Sequence, residues 1–217
     1  MRINKNLKTI TSKEYCLINN YKYSVIQKGY LQNVYIPRYA DDLEVKNYIP
    51  AKFPEISMSE LLNVNLLGNN SIIFDDNNYC IYDIPFRDEE NKFHLKYGNT
   101  LYSDKHTTSI VFDDSTQEII DEGIMLIGNA SFNYYHLNME IFSKLCLIDK
   151  LEEYINIPIL VDEYILRIPQ FKQELYALNK FGRKIIVLKR GHYYKINKLI
   201  YLSDLAVIPL NIKEGHM

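Results

Sequence analysis

Residues 122–162 read EGIMLIGNASFNYYHLNMEIFSKLCLIDKLEEYINIPILVD, and this stretch decides the fold. It opens on a short apolar run, EGIMLIG (122–128), that ends in glycine and reads as a buried strand. A long helical pattern follows over 133–154, with Leu137, Ile141, Leu145 and Ile148 on one stripe and Met139, Phe142 and Cys146 on a second. Two apolar faces imply a largely buried helix, with Cys146 in the core. IPILVD (157–162) reads as a second buried strand. Beyond it, PQFKQELYALNKFG (169–182) reads as a helix opened by Pro169 and closed by Gly182, and RKIIVLK (183–189) as a third strand. Strand, helix, strand, helix, strand with short connections implies a parallel sheet with right-handed crossovers. The expected class is therefore α/β, with a Rossmann-like parallel sheet over 121–217. The run YKINKLIYLSDLAVIPLN reads as a short β-rich or mixed tail.

Upstream, residues 1–120 have a different rhythm. Short β-prone runs, NVYIP (33–37), SIIFDD (71–76), YCIYDIPF (79–86) and FHLKYGNTLYS (93–103), alternate with Asp-Asp, Asn-Asn and Asp-Glu-Glu-Asn breaks. A meander or hairpin layer packing on the sheet is expected, with a short helix at SMSELLNVNLL capped by Ser57 or Ser59. The chain has no internal repeat and no low-complexity linker.

Composition narrows the function classes. The 217 residues carry 25 Lys+Arg against 27 Asp+Glu, a formal charge of −2, and 47% are hydrophobic. That balance excludes a disordered tail and gives no electrostatic case for nucleic acid. A chain of this length buries roughly 70% of its unfolded surface and needs neither disulfide nor metal to fold. Cys16, Cys80 and Cys146 are far apart and form no C-x-x-C pair, which fits reduced intracellular thiols. No run approaches the ~18 apolar residues of a spanning helix, and no signal-peptide core follows the N-terminus. A cytoplasmic protein is expected, either free or peripheral to the inner face of a membrane.

The common catalytic signatures are missing. G-x-G-x-x-G, the P-loop, G-x-S-x-G and H-E-x-x-H do not occur. Neither does the Asp-x-Asp triplet that metal-dependent sugar transferases use to hold a nucleotide diphosphate. The acidic pairs Asp41-Asp42, Asp75-Asp76 and Asp113-Asp114 read as solvated turns, so no metal site is expected.

In open α/β sheets, ligands bind outside the carboxyl ends of the strands, where the next helices begin. That places Asn133, Tyr134 and His136 in the first turn after the first strand. Asn133, His136 and Glu140 lie within about 60° of one another around the helix. One reading makes His136 a general base or substrate ligand, oriented by Glu140. The other makes them an ordinary i,i+4 pair behind an Asn133 N-cap. A second polar cluster, Lys189, Arg190 and His192, follows the third strand and reads either as a phosphate or sugar contact or as a solvated basic loop. Arg167 and Gln170 are weaker candidates.

The segments GNASFNYYHLNMEIFSKL, IPILVDE, PQFKQELYALNKFG, KIIVLKRGHYYKINKLIY and VIPLN resemble glycosyltransferase family 61, which includes capsular polysaccharide biosynthesis proteins. The resemblance covers most of 120–212 and is carried best by Asn133, Tyr134, His136, Leu137 and Glu140. Family members commonly have Trp after the histidine, where this chain has Leu137. The resemblance implies half of a GT-B type fold and inverting transfer of a sugar from a nucleotide-sugar donor to a glycan acceptor, with no obligatory metal or other cofactor. It implies His136 as base, with Glu140 as its orienter or as the alternative base, and Asn133 as an acceptor contact. It also implies a C-terminal donor domain that has no counterpart here, so a separate donor-binding domain or a homo-oligomer would complete the site. The alternative is a non-catalytic glycan-binding or assembly subunit on the same scaffold.

Overall fold

The computed structural model describes residues 1–35, 48–68, 70–83, 99–104, 106–128 and 131–203. Parts of the strand readings at 33–37, 79–86 and 93–103, and the tail from 204 onward, lie outside them. The chain is a mixed α/β protein built on one 11-stranded sheet, with a separate two-stranded ribbon of β3 (Tyr30–Tyr35) and β4 (Tyr48–Phe53).

The three strands read from the decisive stretch are present as β10 (Glu118–Leu126), β11 (Ile159–Asp162) and β12 (Ile185–Leu188). They pair in parallel, with Ile124 beside Ile159 and Ile159 beside Ile185. The run expected to be a short β-rich or mixed tail contains a long central strand, β13 (Tyr193–Leu202), parallel to β10 on its other side. The expected helix at 57–67 is also a strand, β5 (Ile56–Leu67), which pairs antiparallel with β13 along its length. Its apolar spacing fits a helix, but burial on both faces between neighbouring strands overrides that preference. The rest of the sheet continues through β6 (Ile73–Phe74), β7 (Tyr79–Ile81), β1 (Arg2–Ile10), β9 (Thr107–Asp113) and β8 (Thr100–Ser103), while β2 (Tyr23–Gln27) also pairs with β5. The expected meander is broken by one parallel pair, β1 with β7. A helix not anticipated, α1 (Ser12–Asn19), starts on a Thr11–Glu14 capping box.

The sheet is sharply bent. On β5 the residues facing one core are Leu61, then Val64 and Leu66; on β13 they are Ile196, then Leu199 and Tyr201; on β10 they are Ile120, then Met125 and Ile127. Side-chain alternation thus slips by one residue at the same level in three adjacent strands. Asn63 marks the slip with φ 53°, and Asn197 Nδ2 donates to Asp121 Oδ1 at 3.1 Å there. Above the bend both sheet faces are covered, as a parallel sheet requires; below it Ile119 and Asp121 are exposed.

This bend explains an unusually short connection. Only residues 189–192 join β12 to β13, although β11 and β10 lie between them, and a parallel crossover ordinarily takes a dozen or more residues. The coiled sheet brings the exit of β12 beside the entrance of β13. There the Lys189 N–H donates to the Tyr194 hydroxyl at 2.8 Å. A Cβ on Gly68, at the end of β5, would sit 1.9 Å from the Lys189 carbonyl oxygen, so only glycine fits.

Helices cover the upper sheet. The segment after β10 is α2 (Tyr134–His136), a π-helical stretch Leu137–Phe142 and α3 (Ser143–Ile148), where one continuous helix to 154 was expected. Leu137, Ile141, Leu145 and Ile148 are buried against Ile124, Ile159 and Val161, as their stripe indicated. The second stripe is not a core face: Met139 and Cys146 are exposed and only Phe142 is buried. The first stripe thus stays buried across the π-turn, while Met139 within it and Cys146 beyond it face solvent. Further along lie α4 (Glu163–Arg167) and α5 (Pro169–Leu178), the latter opened by Pro169, with Gly182 at φ 64° beyond its end.

Candidate functional site at the carboxyl edge of the parallel strands

On the way from β10 into α2, Ser131 is fully buried. Asn133 then caps the helix: its Oδ1 accepts from the Tyr135 N–H at 3.0 Å and the His136 N–H at 3.5 Å. That oxygen is therefore occupied by the backbone. One turn on, His136 Nδ1 stands 3.0 Å from Glu140 Oε1. The approach lies off the line a hydrogen bond needs, so Nδ1 is a buried nitrogen without a hydrogen bond. His136 and Glu140 keep 25% and 20% side-chain exposure, enough for the ring to meet an incoming group.

Tyr134 projects outward, with its ring 6.0 Å from that of Phe171 on α5. The two rings line an open groove of about 600 Å³ with Gln170, Gln173, Glu174 and Ala177. Phe132, Tyr134 and Tyr135 are 55%, 61% and 53% exposed, so the four residues around the helix start present aromatic surface to solvent.

The second predicted cluster divides. Lys189 uses its backbone to join β12 to Tyr194. Arg190 Nη1 donates to the Tyr164 hydroxyl at 3.1 Å. His192 Nδ1 lies 3.0 Å from Glu118 Oε1, and its ring stacks on Tyr194. Thus His136 pairs with Glu140, and His192 pairs with Glu118 at the start of β10. Arg167 forms an ion pair with Glu163 at 2.9 Å.

Sequence reasoning missed Asp162. It ends β11, is completely buried, and receives the Ser131 hydroxyl on Oδ2 at 2.6 Å. Burial pushes its pKa up to about 6; the Ser131 hydroxyl, the Glu163 backbone N–H and the Arg190 charge pull it down, and the Glu163 charge pushes it up. An acid closing the apolar run ILVD was the available signal. The acidic pair at 75–76 also departs from expectation. Asp75 is buried and accepts from the Tyr15 hydroxyl at 3.1 Å and the Tyr79 N–H at 2.7 Å.

Among the described residues, no group of three or more His, Cys, Asp or Glu side chains is placed to hold a metal ion. Nor is any helix among them long and apolar enough to cross a membrane. No family model, curated protein or solved structure matches the chain.

Proposed function

We propose that this chain handles the acceptor in an inverting glycosyl transfer from a nucleotide sugar to a glycan, in the manner of capsular or surface polysaccharide biosynthesis. The observation that carries the reading is the His136–Glu140 pair, held at 3.0 Å on the helix that follows the first parallel strand. In such a transfer the acceptor hydroxyl attacks the anomeric carbon while the nucleoside diphosphate leaves from the opposite face, and a base takes the hydroxyl proton. In this reading Nε2 takes the proton, and the Glu140 carboxylate, 3.0 Å from Nδ1, stabilises the charge of the imidazolium that forms.

Strands β10 to β13 support a Rossmann-like half of a GT-B type enzyme. In this reading a second donor-binding domain or another copy of the chain supplies the donor side, no metal or cofactor is required, and the work takes place in the cytoplasm or at the inner face of a membrane. Tyr134, and the Lys189, Arg190 and His192 link, are the proposed substrate contacts.

The exposed Phe132, Tyr134 and Tyr135 favour a second reading, a glycan-binding subunit without transfer, because aromatic faces hold sugar rings with no base. A transfer assay with nucleotide sugars and surface-glycan acceptors separates the two. Sugar transfer falling about 100-fold or more in His136→Ala supports the base role. Glycan retention unchanged by that substitution, with no transfer by the parent chain, supports the binding subunit.

A further inference from the structure

Asp162 stands where open α/β sheets receive ligands, at the carboxyl end of β11, between the turn after β10 and the link after β12. Its side chain is fully covered. Oδ2 holds the Ser131 hydroxyl at 2.6 Å, whereas Oδ1 is buried without a hydrogen bond. A carboxylate can accept about four hydrogen bonds, and leaving a buried oxygen idle is costly. The strand residues around it, Val161, Val187 and Leu188, are apolar, and although Asp162 occupies the N-cap position of α4, its side chain makes no capping hydrogen bond. The charged groups nearest it are Glu163, the next residue, which opens α4, and Arg190 from the β12 exit, whose guanidinium is held by the Tyr164 hydroxyl.

We infer that Asp162 is a ligand-binding residue whose Oδ1 accepts a hydroxyl group of the bound saccharide, while Ser131 fixes the plane of the carboxylate through Oδ2. The inference rests on the sugar-handling reading and deepens it by naming a specificity contact. Ser131 lies two residues before the Asn133 cap, so the same turn leads to both Asp162 and His136. Because Ser131 and Asp162 are both covered, the hydroxyl reaches Oδ1 only when the turn at 131–133 lifts, and binding is therefore coupled to a local opening. Burial raises the carboxyl's pKa to about 6, which still leaves it mostly ionised at neutral pH and a strong acceptor once a donor arrives. No proton or covalent bond needs to change hands in this contact.

The test is saturation-transfer NMR with a panel of methyl glycosides and their singly deoxygenated analogues, followed by titration of those that bind. The parent chain is expected to discriminate against one deoxy analogue by about 10-fold or more. Asp162→Asn, and Asp162→Ser as a second variant, should bind the parent glycoside about 10-fold more weakly and lose discrimination against that analogue. A merely structural role would weaken all glycosides alike. Retained discrimination in both variants overturns the inference while leaving the sugar reading intact. Failure of the parent chain to bind any saccharide overturns both.

Discussion

At the level of single residues, the proposed chemistry rests on three side chains that no contiguous motif joins. His136 and Glu140 were legible, because four-residue spacing on a helix places them together whatever the rest of the chain does. Asp162 was not, because its idle oxygen depends on β10, β11 and β12 meeting at one edge. Its acidity has a measurable consequence. Burial raises the pKa from an ordinary 3.8 to about 6, so the folded state holds a proton that the unfolded state releases. This contribution to stability is fully present below about pH 4 and declines as pH rises to about 6. A two-unit shift corresponds to roughly 2–3 kcal/mol. Denaturant titrations of the parent chain should show that decline between pH 4 and 6, and Asp162→Asn should flatten it. An identical slope in both proteins would mean that Asp162 titrates normally.

At the level of elements, the alternation of strands and helices after residue 120 was readable from local periodicity. The two strands that complete the sheet were not. The runs at 57–67 and 193–202 carry apolar residues on both faces, and only their mutual pairing selects the extended form. The bend they share with β10 was equally hidden. Asn63, with its positive φ, is the residue that permits it on β5. Left-handed backbone costs a side chain other than Gly, Asn or Asp about 1–2 kcal/mol. Asn63→Val is therefore expected to lower the melting temperature, whereas Asn63→Gly should stay close to the parent. Equal melting of the two variants would show that the bend does not depend on that conformation. The π-turn at Leu137–Phe142 was equally hidden: the buried stripe runs through it, while Met139 within it and Cys146 beyond it are exposed.

Across the whole molecule, residues 1–120 and the later α/β region share one continuous sheet. β5 from the first part is the neighbour of β13 from the second, and Lys22, Glu60, Tyr154 and Lys198 are tied across the same junction. The early strands therefore pair along the edge of β13 away from β10, while the polar edge above β10 and β11 carries the proposed chemistry. That division of labour makes a spatial claim: saccharide binds at the turn after β10 and the exit of β11. Hydrogen exchange with and without a bound glycan acceptor tests it most directly. The expected result is slowed amide exchange over 131–142 and 162–167, with β1, β8 and β9 unchanged. Protection confined to those distant strands, or absent at the carboxyl edge despite binding, would contradict the account.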